Sequence, residues 1–167
     1  MTSDISGTYD SACMAARLSG YENRIAVVDT RQAIICQYIV VRYAAAQRDA
    51  GKSLREVVEL VNEFTKRVHV HGILGTLTYL RKGGRIPASV ATIGNLLKIK
   101  PTISIHDGEL VSPAKAKGTA AAKRIIWKDL ETADLDPDWP VYFPYTSDRA
   151  AAEKLRDETA QRFGLDI

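Results

Sequence analysis

Ser3, Ser6 and Thr8 crowd around Gly7 just ahead of an alanine-rich run, and they are the first residues in this chain whose types and spacing could do chemistry. If that run is a helix, unpaired backbone N–H groups face out of its N-terminus and the macrodipole adds positive potential there. Gly7 lets a ligand approach the backbone closely, and the hydroxyls can donate further hydrogen bonds. The arrangement suits a singly charged carboxylate or a phosphate. Residues 1–16 contain no Lys or Arg, so a highly charged ligand would meet no counter-charge in the local sequence. The plain alternative is that Ser6 simply caps the helix.

A second group is Arg81-Lys82-Gly83-Gly84-Arg85-Ile86, a tight basic turn without the residue order of a phosphate loop. It reads as a solvated turn or as a docking surface, and Lys115, Lys117, Lys123 and Arg124 extend its charge. From Arg81 to Arg124 nine Lys or Arg stand against two acids, a local +7, while the rest of the chain carries 14 against 18, or −4. A basic surface of this kind attracts an acidic protein, a phosphate or an anionic membrane. No aromatic residues interleave with it, so nucleic acid is not an expected partner.

Other chemistries find less support. Serine nucleophiles need a base, and His69, His71 and His106 lie far along the chain with no G-x-S-x-G elbow. His69 and His71 share one face of a strand, half of a metal site, but no third or fourth ligand is evident and no metal is expected. Cys13 and Cys36 fall in helical segments without CxxC spacing and read as buried reduced thiols, which fits a cytoplasmic protein.

The elements that position these residues follow from pattern. The chain has 167 residues, 46% hydrophobic and 26% charged, which is ordinary globular composition. Its longest apolar-rich run, Ala33–Val41, falls well short of the roughly 20 residues of a membrane span. The first residues carry neither a basic nor an apolar signal segment, so no secretion signal is expected. A helix is expected from the Ser6-Gly7-Thr8 loop to Leu18, stopped at Gly20. Ile25–Val28 reads as a strand buried on both faces of a parallel sheet. A helix with Ile34, Tyr38, Val41 and Ala45 as its apolar face ends at Gly51. Ser53 and Glu56 form a capping-box signature for the next helix, with Leu54, Val57, Val58, Val61 and Val68 inward. Residues 68–74 alternate like a strand.

Farther on, Ile99–Ile105 alternates, and Asp107-Gly108 is a two-residue hairpin turn into Glu109-Leu110-Val111. A helix is expected over Thr119–Leu130, a short strand over Val141–Phe143, and a last helix capped by Ser147 and stopped by Gly164. Ala152, Leu155, Thr159 and Phe163 form the inward face of that helix. The fold class is α/β at the front and α+β behind, divided as residues 1–72 and 73–167.

Taken in order, these features resemble the DegV family of bacterial fatty-acid-binding proteins. Thr2-Ser3-Asp4-Ile5-Ser6-Gly7-Thr8-Tyr9 is similar to the family's Ser-rich loop and L-S-G-T-Y, and Val27-Val28-Asp29-Thr30 to its V-x-D-S. Leu77 to Ile86 is the most specific stretch, followed by Gly94 to Pro101, Asp107-Gly108, and Lys115-Ala116-Lys117-Gly118 in place of K-x-R-G. The resemblance implies a Rossmann-like parallel-sheet first domain, partial in this chain, and an α+β second domain. It also implies that the opening of domain one and the end of domain two, which bear further carboxylate contacts, lie outside the chain. Apolar surface uncovered in this way would favour self-association.

By this resemblance the protein is a carrier and not an enzyme. It would bind a long-chain fatty acid, with no cofactor, and present the carboxylate to a separate fatty-acid kinase. Ser3 would contact the carboxylate, Ser6, Gly7 and Thr8 would shape the loop, and Arg85, Lys115 and Lys117 would dock the kinase. An alternative is an interaction module that keeps the basic surface and binds no lipid. Asp4, where the family has a small residue, would oppose an anion, and Lys117 lacks the fork of the family's Arg.

Overall fold

The alanine-rich run after Gly7 folds as helix α1 (Thr8–Leu18) in a computed structural model that describes residues 1–87, 99–112 and 115–167. Gly20 ends it at φ +73°, a left-handed conformation that glycine adopts without Cβ strain. Helix α2 (Ile34–Asp49) is likewise followed by Gly51 at φ +81°. Helix α3 (Leu54–Thr65) carries the complete capping box. Ser53 Oγ accepts from the Glu56 N–H at 3.4 Å and the Glu56 carboxylate accepts from the Ser53 N–H at 2.8 Å. Helices α2 and α3 pack together around Cys36, Val40, Val61, Phe64 and Val68. The Phe64 ring stacks on Tyr43 at 3.9 Å and meets Trp139 at 5.0 Å. Cys36 is buried as expected, and burial pushes its thiol up to about 12, while Cys13, expected to be buried too, is only half-buried.

The expected inward face of α2 is turned the other way. Ile34, Tyr38 and Val41 are 61%, 49% and 55% exposed, and Cys36 and Val40 with Ile39, Tyr43 and Ala44 form the covered face. Helix α2 is apolar on two sides, so its own period does not select one. The sharply one-sided α3 selects the stripe that is covered. Leu54, expected inward on α3, is 50% exposed at the helix start.

Ile25–Val28 does not form a strand, and residues 25–30 have no ladder partner among the described residues, so no parallel sheet forms there. An apolar run becomes a strand only where a neighbour takes its hydrogen bonds. Val28 nevertheless packs on the α2–α3 core. Just beyond, the buried Gln32 carboxamide donates to the Thr65 and Val68 carbonyls at 3.2 and 2.8 Å. It thus satisfies acceptors that the end of α3 leaves open.

The sheet of this α/β chain is antiparallel. Strand β1 (His71–Ile73) precedes a short helix α4 (Thr78–Lys82) and strands β2 (Ile99–His106), β3 (Glu109–Val111) and β4 (Lys115–Lys117). The central strand β2 pairs with all three others, with His71 opposite Ser104, Ile105 opposite Leu110 and Lys100 opposite Ala116. The alternation expected over 68–74 yields a strand of only three residues, and the expected division at 72/73 falls inside it. The Gly94–Lys98 part of the resemblance lies outside the described residues. The Asp107-Gly108 turn has φ +47° and +88°, the two positive values a type I′ hairpin needs.

Helix α5 (Thr119–Thr132) lies against β1, β2 and β4, with Ile103, Ile105, Ala116, Ala122 and Ile126 buried. Helix α6 (Arg149–Phe163) packs on α5 through Trp127 Nε1, which donates to Thr159 Oγ1 at 3.0 Å, and the Lys123–Glu158 pair at 2.5 Å. Asp148 caps it rather than Ser147, accepting from the Ala151 N–H at 2.9 Å. Residues 141–143 form no strand. Tyr142 instead takes a hydrogen bond from Arg42 and sets its ring edge-on to Tyr38, so the connector lies along α2. Pro140 and Pro144 deny a ladder its donors.

His71 introduces a pH dependence. Burial holds its imidazole below the usual value, with Asp129 at 3.6 Å opposing only in part. The unfolded chain therefore binds this proton first, and stability falls as pH drops below about 6.5. The urea midpoint should fall between pH 7.5 and 5.5, and His71→Asn should flatten that slope. An equally steep slope in the variant would assign it to another group.

Candidate functional site

Residues 2–5 are held one after another by distant parts of the chain. The buried Thr2 takes the Gln32 carbonyl with its N–H at 2.8 Å and donates its hydroxyl to the Gly108 carbonyl at 2.9 Å. Ser3 donates to Asp29 twice, from N–H at 3.3 Å and from Oγ at 2.6 Å. Asp4 pairs with Arg31 at 2.9 Å. The Ile5 carbonyl accepts from Arg85 Nε at 3.1 Å. Ser6 Oγ lies 2.8 Å from Thr8 Oγ1 and accepts from the Thr8 N–H at 3.3 Å. Gly7 is the residue at the N-cap and no side chain caps α1, so Ser6 braces the loop rather than filling the cap. The space over Gly7 is open, and Gly7 and Thr8 are exposed.

The structure thus brings Ser3, Ser6, Gly7, Thr8 and Arg85 into one neighbourhood. Arg85 leaves α4 by way of Gly84 at φ +72°, with its N–H donating to the Leu80 carbonyl at 2.9 Å. Lys115 and Lys117 sit on β4, opposite Pro101 and Ile99, with Lys117 exposed.

Three participants were not picked out from sequence. Asp29 anchors Ser3. Burial pushes its carboxyl up, but hydrogen bonds from Ser3 and the Arg31 N–H, with the Arg31 charge, hold it below the ordinary carboxylate range. Arg31 bridges Asp4, Asp29 at 3.9 Å and the Asp107 carbonyl. Asp4 is thereby paired, not left free to repel an anion. Gly108 closes the hairpin onto the loop, where a Cβ would stand 2.6 Å from the Asp4 carboxylate and 2.7 Å from the Arg31 guanidinium. A usable signal was the Asp29-Thr30-Arg31 triplet, in which a charged pair ends an apolar run.

Among the described residues no group of three or more His, Cys, Asp or Glu could hold a metal ion. No described helix is long and apolar enough to cross a membrane. A family model described as "Uncharacterised protein, DegV family" matches residues 1–167. The chain belongs to the DegV family.

A DegV domain-containing protein of Clostridium perfringens is 35% identical over 166 residues, covering 94% of this chain and 57% of the relative. Among solved structures, one described as fatty acid binding of a DegV family protein from Thermus thermophilus is 29% identical. Its TM-score is 0.82, over 98% of this chain and 58% of that one. The Streptococcus pneumoniae fatty acid kinase B3 protein loaded with linoleic acid shares the fold at TM-score 0.79 and 21% identity, over 98% of this chain and 59% of that one. The chain therefore spans about half the length of the DegV relatives it matches.

Proposed function

We propose that this chain belongs to a fatty-acid carrier that seats an acyl carboxylate on the Ser3–Thr8 loop and offers it to a separate kinase. The observation that carries the reading is the loop itself. Its residues 2–5 are each anchored from elsewhere, and Gly7 and Thr8 stand open at a helix N-terminus. The Thermus relative described as binding fatty acids supports the choice of ligand. Asp29 holds Ser3 by its backbone N–H as well as its hydroxyl, so the hydroxyl can turn to a ligand carboxylate without freeing the loop. Ser6, Gly7 and Thr8 shape the seat, and no metal or cofactor takes part.

The acyl tail would cover apolar side chains that α1 and α2 leave exposed. Met14 and Leu18 on α1 and Ile34, Tyr38 and Val41 on α2 are all 49% exposed or more. About 15 methylenes at roughly 0.8 kcal/mol each would dominate the affinity, leaving orientation to the loop. Residues 1–72 would hold the lipid, and residues 73–167 would dock the kinase through Arg85, Lys115 and Lys117. The name of the Streptococcus protein supports a kinase partner. The carrier works in the cytoplasm, where the same basic residues suit transient contact with an anionic membrane. Without lipid, the exposed apolar side chains favour self-association.

A second reading, an interaction module without lipid, is favoured by the hydrogen bond that already occupies Ser3 Oγ. Native and denaturing mass spectrometry of the purified protein separates the two. The carrier shows one added mass that matches a fatty acid and is lost on denaturation, and Ser3→Ala weakens its affinity for added oleate about tenfold, as loss of one hydrogen bond to a charged group implies. An apo mass that takes up no added oleate would leave only the module.

A further inference from the structure

Arg85 is exposed, yet its guanidinium joins two carbonyls from separate parts of the chain. Nε donates to Ile5 at 3.1 Å and Nη1 to Gly83 at 2.6 Å. Thr2, Ser3 and Asp4 are held by Gln32, Gly108, Asp29 and Arg31. Ile5, the last residue before Ser6-Gly7-Thr8, is held by Arg85. The guanidinium therefore sets how the loop enters α1.

We infer that Arg85 is a positioning residue that couples the basic turn to the Ser6–Thr8 loop, so that an acidic partner surface that captures Arg85 loosens the loop. This rests on the reading of that loop as the head-group seat and adds a route for release. The physical reason lies in the guanidinium fork. A carboxylate prefers two parallel N–H donors, and the side-on edge of Arg85, Nε with Nη2, is already engaged by the Ile5 carbonyl. A partner carboxylate that takes this edge displaces Ile5. Its charge makes it the stronger acceptor, while the released carbonyl can turn to water at this exposed position.

The test is hydrogen exchange measured by mass spectrometry on the lipid-free protein, with hexaglutamate as the acidic probe. Arg85→Ala should speed exchange in peptides covering residues 3–9 by about fivefold to tenfold, the loss of one charge-assisted hydrogen bond. Peptides from β2, α5 and α6 should be unchanged. Arg85→Lys should behave like Arg85→Ala, because lysine keeps the charge but has no Nε–H on that edge. Hexaglutamate should reproduce the effect in the wild type and add nothing in Arg85→Ala.

Loop exchange within twofold of wild type in Arg85→Ala overturns the positioning role. So does faster exchange spread over the whole chain, which would mark a general loss of stability. A wild-type loop indifferent to hexaglutamate overturns the coupling. None of these readouts needs bound lipid, so a chain that fails to take up oleate and a chain whose loop ignores Arg85 are distinct results.

Discussion

Asp29→Ala is expected to lower stability by about 2–3 kcal/mol in urea unfolding and to weaken retention of fatty acid about as far as Ser3→Ala does. The carboxylate accepts from the Ser3 N–H, the Ser3 hydroxyl and the Arg31 N–H, and it faces the Arg31 guanidinium. Hydrogen bonds to a charged group contribute about 1.5–3 kcal/mol each. The side chain is 20% exposed, so water recovers part of that sum. Asp29→Asn keeps one acceptor oxygen and should lose about half as much. The Asp29 carboxyl is held low in the folded state, so its contribution is present above the ordinary aspartate value near 3.9 and disappears as pH falls below it. A variant with wild-type midpoint and wild-type lipid content would remove Asp29 from the site.

Phe64→Ala should be costlier still, about 3–5 kcal/mol, because a buried aromatic leaves a cavity that its neighbours only partly fill. Phe64 is 9% exposed and packs on both Tyr43 and Trp139, which also meet each other at 5.8 Å. Ring pairs of this kind add roughly 0.5–1.5 kcal/mol beyond area burial. The loss should also free Trp139, which ties the connector after α5 to the α2–α3 core, so tryptophan emission should shift to the red before global unfolding. Phe64→Leu should lose less and keep the emission. Unchanged emission in Phe64→Ala would mean the connector is held elsewhere, through Tyr43–Trp139 at 5.8 Å, Arg67–Asp136 at 3.1 Å or Arg42–Tyr142.

Features governed by neighbours in sequence were legible. The Ser53–Glu56 capping box, the glycine stops at Gly20, Gly51 and Gly164, and the Asp107-Gly108 turn all form as expected. Each depends on groups within a few residues, so a local pattern is enough. The face of α2 and the state of Ile25–Val28 were not legible, because both depend on what lies alongside. An apolar run with no neighbour to accept its ladder is left as extended chain, and a helix apolar on two sides takes its orientation from its partner. Asp148 displaced Ser147 as cap by a single residue, within the reach of either side chain.

The candidate site divides along the same line. Sequence by itself determined that hydroxyls gather around Gly7 at a helix start, that positive charge collects between Arg81 and Arg124, and that the order of motifs is that of the DegV family. Only the tertiary structure decided that Asp29 grips Ser3 across 26 positions, that Gly108 closes on Thr2 across 106, and that Arg85 reaches Ile5 across 80. It also turned Asp4 from an apparent liability into the partner of Arg31. Hydrogen bonds and ion pairs act over a few ångströms, and two residues far apart in sequence come that close only once the helices and the hairpin between them have packed.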